Sequence, residues 1–150
     1  MITIESIEPL EIKIKYHDGV DPIEQFPQGD WIDLRTAEKI HMEKGDFRMI
    51  KLGVSMKIPE GYEAHIVPRS STFMHYGLIQ TNHMGVIDNS YSGTNDIWHF
   101  PALATRMIDI PKNTRICQFR LVRIQEPVKF VVVDELDSED RHGFGSTGRS

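Results

Sequence analysis

The densest chemical signal in the chain is Asn82-His83-Met84-Gly85-Val86-Ile87-Asp88-Asn89-Ser90-Tyr91-Ser92-Gly93. Strand alternation puts Asp88 just after an apolar stretch, where partial burial would orient its carboxylate. A carboxylate so held can align and activate a water, the task of a general base in hydrolysis. Tyr91, three residues on, offers a flat face to a sugar or base. The same residues also fit a plain hairpin in which Asp88 and Asn89 make an Asx turn.

Two further groups of residues suit an anion. Pro68-Arg69-Ser70-Ser71-Thr72 places an arginine before hydroxyls at a strand-to-helix junction, where a guanidinium, hydroxyls and helix-start amides can meet a phosphate chain. It equally fits a capped helix with a surface arginine. Near the C-terminus, Gly143-Phe144-Gly145-Ser146-Thr147-Gly148 stands between Arg141 and Arg149. Small residues let successive N–H groups converge on an anion, and the hydroxyls add donors. The segment is not a Walker A loop, because the Gly-Lys-Ser/Thr ending is missing, and by itself it also fits a frayed tail.

The elements that must position these residues read as strands. Apolar residues alternate at 12–16, 31–34, 47–51, 54–58, 63–67, 78–80, 84–87, 97–102, 106–110, 115–124 and 129–133, with turn residues between. Short, evenly spaced strands without a long amphipathic helix predict an antiparallel sandwich, jelly roll or barrel rather than a βαβ fold. One short helix is expected at 70–75, capped by its Ser-Ser opening. Pro101 suggests an edge strand, Trp98 and Phe100 read as core or subunit contact, and Cys117 reads as core rather than nucleophile. Seven scattered histidines form no transition-metal pattern. The acid-rich stretch 134–140 reads as a solvated hinge, so the expected division is a catalytic domain at 1–133 and a hinge with a glycine-rich arm at 134–150.

Bulk properties narrow the function. With 150 residues, 17.3 kDa and 39% apolar residues, the chain is one domain with its own core. A single cysteine, no signal-like start and no apolar run long enough for a bilayer predict a cytoplasmic protein. A net charge of -5 opposes a general nucleic-acid partner. Positive groups for an anionic ligand must therefore be local.

Taken together and in order, the clusters resemble the homotrimeric deoxyuridine triphosphate nucleotidohydrolases (dUTPases), and most of all their bacterial or prophage branch. The five motifs read Asp33-Leu34-Arg35; Pro68-Arg69-Ser70-Ser71; Asn82 with Gly85-Val86-Ile87-Asp88 and Tyr91-Ser92-Gly93; Arg115-Ile116-Cys117-Gln118; and Gly143 to Gly148. The resemblance implies an all-β distorted jelly roll with one short helix and a flexible C-terminal arm. It implies three sites at subunit interfaces of a homotrimer, and Mg²⁺ as cofactor. In it, Asp88 activates the water that attacks the α-phosphorus of dUTP, releasing dUMP and pyrophosphate. That reaction keeps uracil out of DNA and supplies dUMP for dTMP synthesis.

By the same resemblance, Asn82 and the hairpin residues Gly85, Val86 and Ile87 read the uracil, and Tyr91 packs on the deoxyribose. Arg69, Ser70, Ser71, Gln118, Arg141, Gly145, Ser146 and Thr147 meet phosphates, and Phe144 stacks on the base as a lid. Asp33 acts on the metal indirectly, through water, the triphosphate holding the ion. A prophage origin would add a regulatory protein partner. The chain departs from the commonest family pattern at Ser92, where a basic residue is usual, at Gly29-Asp30-Trp31-Ile32, and in the short Arg141 to Phe144 spacing. Two rivals remain: a dCTP deaminase of the same fold, which lacks its Glu in 97–102, and a non-catalytic binding jelly roll, which would not need Asp88, Tyr91 and the glycine-rich tail together.

Overall fold

The period-two runs fold into strands that each turn one face to a shared core. The computed structural model describes residues 8–24 and 30–142. Its elements are β1 (Lys13–Tyr16), β2 (Ile32–Arg35), β3 (Ile40–Met42), β4 (Phe47–Lys51), β5 (Val54–Lys57), β6 (Tyr62–Pro68), α1 (Thr72–Tyr76), β7 (Leu78–Gln80), β8 (Gly85–Ile87), β9 (His99–Ala104), β10 (Ile108–Ile110) and β11 (Arg115–Arg123). A four-stranded sheet runs β2-β11-β6-β8 and a three-stranded sheet β4-β9-β7, with β1-β5 and β10-β3 as two-stranded pairs. Every pairing is antiparallel. The arrangement is all-β and jelly-roll-like, as expected.

The core draws on all of these sheets. Leu34, Ile66 and Phe119 from the four-stranded sheet join Ile50, Leu78 and Phe100 from the three-stranded one in a single buried cluster. Trp98 packs edge-on against Phe119, with ring centres 5.2 Å apart. Both rings are buried, as is Cys117, so the core reading of Trp98, Phe100 and Cys117 holds. Gly53 has φ of +68°, and a Cβ there would lie 2.8 Å from Val20 Cγ1, so the crossing from β4 to β5 needs glycine.

Three expectations need correction, and one strand, β3, was not among those expected. The strand expected at 129–133 does not form: Phe130 is 91% and Val132 96% exposed, and among the described residues no strand pairs with this segment. β3 went unread because three residues, one of them an exposed His41, make too short an alternation. The helix starts at Thr72, and Ser71 at its N-cap makes no side-chain capping bond. Pro101 lies on the central strand of its sheet, not an edge. β7 ends opposite Ala102, and beyond it the Thr81 N–H donates to the Pro101 carbonyl at 3.0 Å, so the proline's missing N–H falls just past the end of the β7 pairing.

The β3-β10 pair carries a pH-dependent tie. His41 on β3 meets Asp109 on β10 through Nδ1 at 2.7 Å and Glu43 through Nε2 at 2.9 Å. Hydrogen bonding to Asp109 first, and to Glu43 next, raises the His41 pKa above its ordinary value. A group raised on folding stabilises fully below its unfolded pKa of about 6.5 and loses that contribution as pH climbs through the folded value. The Tm difference between the wild type and His41→Asn is therefore expected to be largest in mild acid and to shrink as the pH rises above neutrality. A difference independent of pH would contradict the tie.

Candidate active site

Arg69, Ser70 and Gln118 are assembled where β6 and β2 end and β11 begins. β11 bulges between Arg115 and Cys117, and beyond the bulge Gln118 stands opposite Asp33 of β2 and Val67 of β6. The Asp33 carboxylate sits between two guanidiniums, Arg69 Nε at 3.2 Å and Arg115 Nη1 at 3.4 Å. Arg69 also donates through Nη1 to the Arg115 carbonyl at 3.3 Å. Two arginines meet one carboxylate here, so positive charge is gathered locally in an otherwise acidic chain, which suits an anion. Gln118 donates through Nε2 to the Pro68 carbonyl at 3.2 Å, and Ser70 is exposed beyond it.

Thr72 ties this cluster together. Its Oγ1 accepts from the Arg69 N–H at 2.9 Å and donates to the Ile116 carbonyl at 2.7 Å, while the residue is buried. The hydroxyl expected of Ser71 is thus supplied one residue later. Cys117 is no nucleophile, because burial first, and the Asp33 charge next, push its thiol pKa far up.

The second group sits on the connection from β7 to β8 and the turn that follows. Asn82, Gly85, Val86, Ile87 and Tyr91 line one pocket of about 190 Å³. Gly85 is needed because a Cβ there would crowd Ile66 Cβ at 3.3 Å. The Tyr91 hydroxyl donates to the Ile97 carbonyl at 2.9 Å, which fixes the ring at the pocket wall. Met49, Trp98 and His99 complete the wall and were not read as site residues, since β4 and β9 reach it only through sheet pairing.

Asp88 differs from expectation in its setting. It is exposed rather than partly buried, and hydrogen bonds orient it. Its Oδ1 accepts from the Ser90 N–H at 2.8 Å and from the Ser90 hydroxyl. These bonds, the hydroxyl first, lower the Asp88 pKa below its ordinary value, so the carboxylate is ionised at neutral pH. The Asx turn and the oriented carboxylate are one and the same feature. Asn89 anchors the turn by donating to the Ile58 and Pro59 carbonyls at 2.8 and 3.0 Å. Ser90 was legible in principle, two residues after an Asp in a turn, and was not singled out.

The two groups do not share a cavity within one chain. Arg69 and Ser70 line a separate hollow of about 560 Å³ with His83 and Met84. Arg141 lies along the acidic segment, in a surface hollow formed by residues 135–141. Phe144, Gly145, Ser146 and Thr147 lie outside the described residues. Among the described residues no cluster of three or more His, Cys, Asp or Glu could hold a metal ion, and both Asp33 oxygens already face arginines. An ion carried by a ligand's own phosphates would need no such cluster.

Comparison with known proteins bears on this arrangement. A family model described as dUTPase matches residues 27–148. The chain is 54% identical over 140 residues to the SPbeta prophage-derived deoxyuridine 5'-triphosphate nucleotidohydrolase of Bacillus subtilis, covering 93% of this chain and 99% of that one. It is 35% identical over 129 residues to the corresponding protein of Leifsonia xyli, covering 85% and 84%. The fold is shared with the Staphylococcus bacteriophage 80alpha dUTPase with dUPNHPP, at a TM-score of 0.76 and 22% identity over 93% of this chain and 99% of that one. It is also shared with a dUTPase from phage phi11 of S. aureus, at 0.72 and 18% over 86% and 100%. An all-β nucleotide hydrolase is the class that fold and motifs define. The chain belongs to the dUTPase family, on its bacterial and prophage side.

Thr72→Val keeps the side-chain volume and strands two backbone groups, the part-buried Arg69 N–H and the buried Ile116 C=O. A loss of about 2–4 kcal/mol in unfolding free energy is expected by denaturant titration, with Thr72→Ser recovering most of it. Equal stability of all three proteins would contradict the tie.

Proposed function

We propose that the chain hydrolyses dUTP to dUMP and pyrophosphate, with Asp88 as the general base. The observation that carries this reading is the Asp88 carboxylate itself. It is ionised and held through Oδ1 by the Ser90 N–H and hydroxyl, with the Tyr91 N–H a weaker influence in the same direction. A water held at Oδ2 is deprotonated as its oxygen bonds to the α-phosphorus, and the bond from that phosphorus to the bridging oxygen breaks. The proton goes to Asp88 and the electron pair leaves with pyrophosphate.

The remaining residues bind and orient. The nucleoside enters the 190 Å³ pocket, where Asn82 and the Gly85-Val86-Ile87 backbone take the uracil edge and Tyr91 packs on the sugar, excluding a 2′-hydroxyl. Ser70, Ser71, Gln118 and the guanidinium of Arg69 take phosphate oxygens, with Arg141, Phe144, Gly145, Ser146 and Thr147 closing from the arm at 134–150. Mg²⁺ bound to the triphosphate would neutralise phosphate charge, and Asp33 would orient a water of that ion. The phage phi11 dUTPase structure is described as showing the coordination of a structural Mg(II) ion, which supports a divalent cation in the family.

A homotrimer with shared sites fits the separation of the two residue groups. It also fits the exposed apolar residues Val128, Phe130, Val131 and Val132. On the outer face of the three-stranded sheet, exposed Phe47, Leu103 and Ile79 lie in one register row, a surface that another copy would cover. We place the protein in the cytoplasm. No helix among the described residues is long and apolar enough to cross a membrane. Phage dUTPases of the 80alpha type are described as controlling transfer of virulence genes, which makes a regulatory protein partner a second role to look for here, separate from catalysis. Removal of dUTP and supply of dUMP for dTMP synthesis is the cellular role.

Pyrophosphate release from dUTP with Mg²⁺ is the assay. Asp88→Asn is expected to lower kcat by at least about 10², with binding of dUMP retained. Wild-type turnover in that variant would overturn the assignment. Ser90→Ala removes the strongest influence lowering the Asp88 pKa, so the acid limb of kcat/KM should move to higher pH; an unmoved limb would contradict Asp88 as base. In sedimentation, Phe130→Asp with Val132→Asp should shift the protein from trimer towards monomer, and an unchanged mass would contradict the proposed contact.

A further inference from the structure

Gln80 is a buried amide at the root of the loop that carries Asn82. It is 6% exposed, on the last position of β7. Its Nε2 donates to the Ile66 carbonyl of β6 at 3.1 Å, while its Oε1 is buried with no hydrogen-bond partner among the described residues. Ile66 stands opposite Gly85, and a Cβ on Gly85 would lie 3.7 Å from Gln80 Nε2. The Gln80 amide therefore ties the start of the loop at 81–84 to the strand facing its end. The Gln80 backbone carbonyl also accepts from the His83 N–H at 3.3 Å.

The loop divides the two cavities. Asn82 lines the nucleoside pocket, and His83 and Met84 line the hollow shared with Arg69, Ser70 and Gln80 itself. β6, to which Gln80 is tied, runs on from Ile66 to Pro68 and so to Arg69. A leucine or methionine would fill the same volume without a buried orphan oxygen. The amide is thus retained at a cost that packing does not require.

We propose that Gln80 is a positioning residue that sets the loop at 81–84 close enough to a bound pyrimidine to exclude a 5-methyl group. The proposal rests on the reading of the 190 Å³ pocket as the uracil site. In a pocket of that size, a loop displaced by about 1 Å would admit the methyl of thymine and loosen the grip on uracil, and displacements of that order change rates by up to about 10²-fold. The chemistry at Asp88, held separately by Ser90 and Asn89, would be little changed.

The test compares wild type, Gln80→Met and Gln80→Leu with dUTP and dTTP in full kinetic runs, and with dUMP and dTMP by calorimetric titration. Both variants are expected to raise KM for dUTP about tenfold, keep kcat within about threefold, and cut the preference for uracil over thymine about tenfold in kcat/KM and in affinity alike. Gln80→Glu, which cannot donate as a carboxylate, should behave like the apolar variants. Wild-type KM and base preference in Gln80→Met would overturn the proposal. So would a loss of folding in both apolar variants, which would make the amide a structural need. Absence of dUTP hydrolysis and of dUMP binding in the wild type would instead overturn the underlying reading of the pocket.

Discussion

The antiparallel register of β6 is the constraint on which the rest depends. β6 pairs with β11 along one edge and β8 along the other. Strand side chains alternate with period two, so Ala64 and Ile66 enter the core while His65 and Val67 face outward. A slip of one residue would turn Ile66 out, detach the Gly85 contact and move Arg69 off Asp33. The same strand thus delivers an arginine and serine at its end and supports, from its middle, the loop proposed to read the base. Packing and chemistry are fixed by a single set of backbone hydrogen bonds.

Electrostatics are handled locally within an acidic chain. Asp33 holds Arg69 and Arg115 in place, gathering positive charge beside Ser70. Asp88 is kept anionic by donors from Ser90, on a different connection and in a different surface region. In the proposed reading, setting the general base apart from the arginines within each chain avoids a salt bridge that would neutralise both. The two groups line different hollows of the described chain.

Much of this was legible in the residues, for identifiable reasons. Long alternating runs such as those of β6 and β11 announce themselves because half of each strand is buried. The motif residues Asn82, Gly85 and Tyr91 are close in sequence, so their convergence needed only one hairpin. Met49 and His99 could not be read because sheet pairing brings them to the pocket from distant segments. The expected strand at 129–133 has strand-forming residues but no partner strand among the described residues, and period alone cannot tell the two cases apart. Ser71 looked like a cap, yet the buried Thr72 hydroxyl has two backbone partners and took over the task of holding the turn. Asp88 looked half-buried by alternation, but β8 ends one residue earlier and the chain turns into solvent.

The central claim is that dUTP is hydrolysed at a site completed by a second copy of the chain. The most direct measurement mixes two variants, Asp88→Asn and Arg69→Ala, by joint refolding at equal amounts, and follows pyrophosphate release from dUTP. Each variant alone should be nearly inactive. If one copy lends the hairpin and another the arginine turn, about one quarter of the sites in random mixtures unite two intact halves, and activity should rise towards that fraction of wild type. Activity no greater than the average of the two parents would contradict the account.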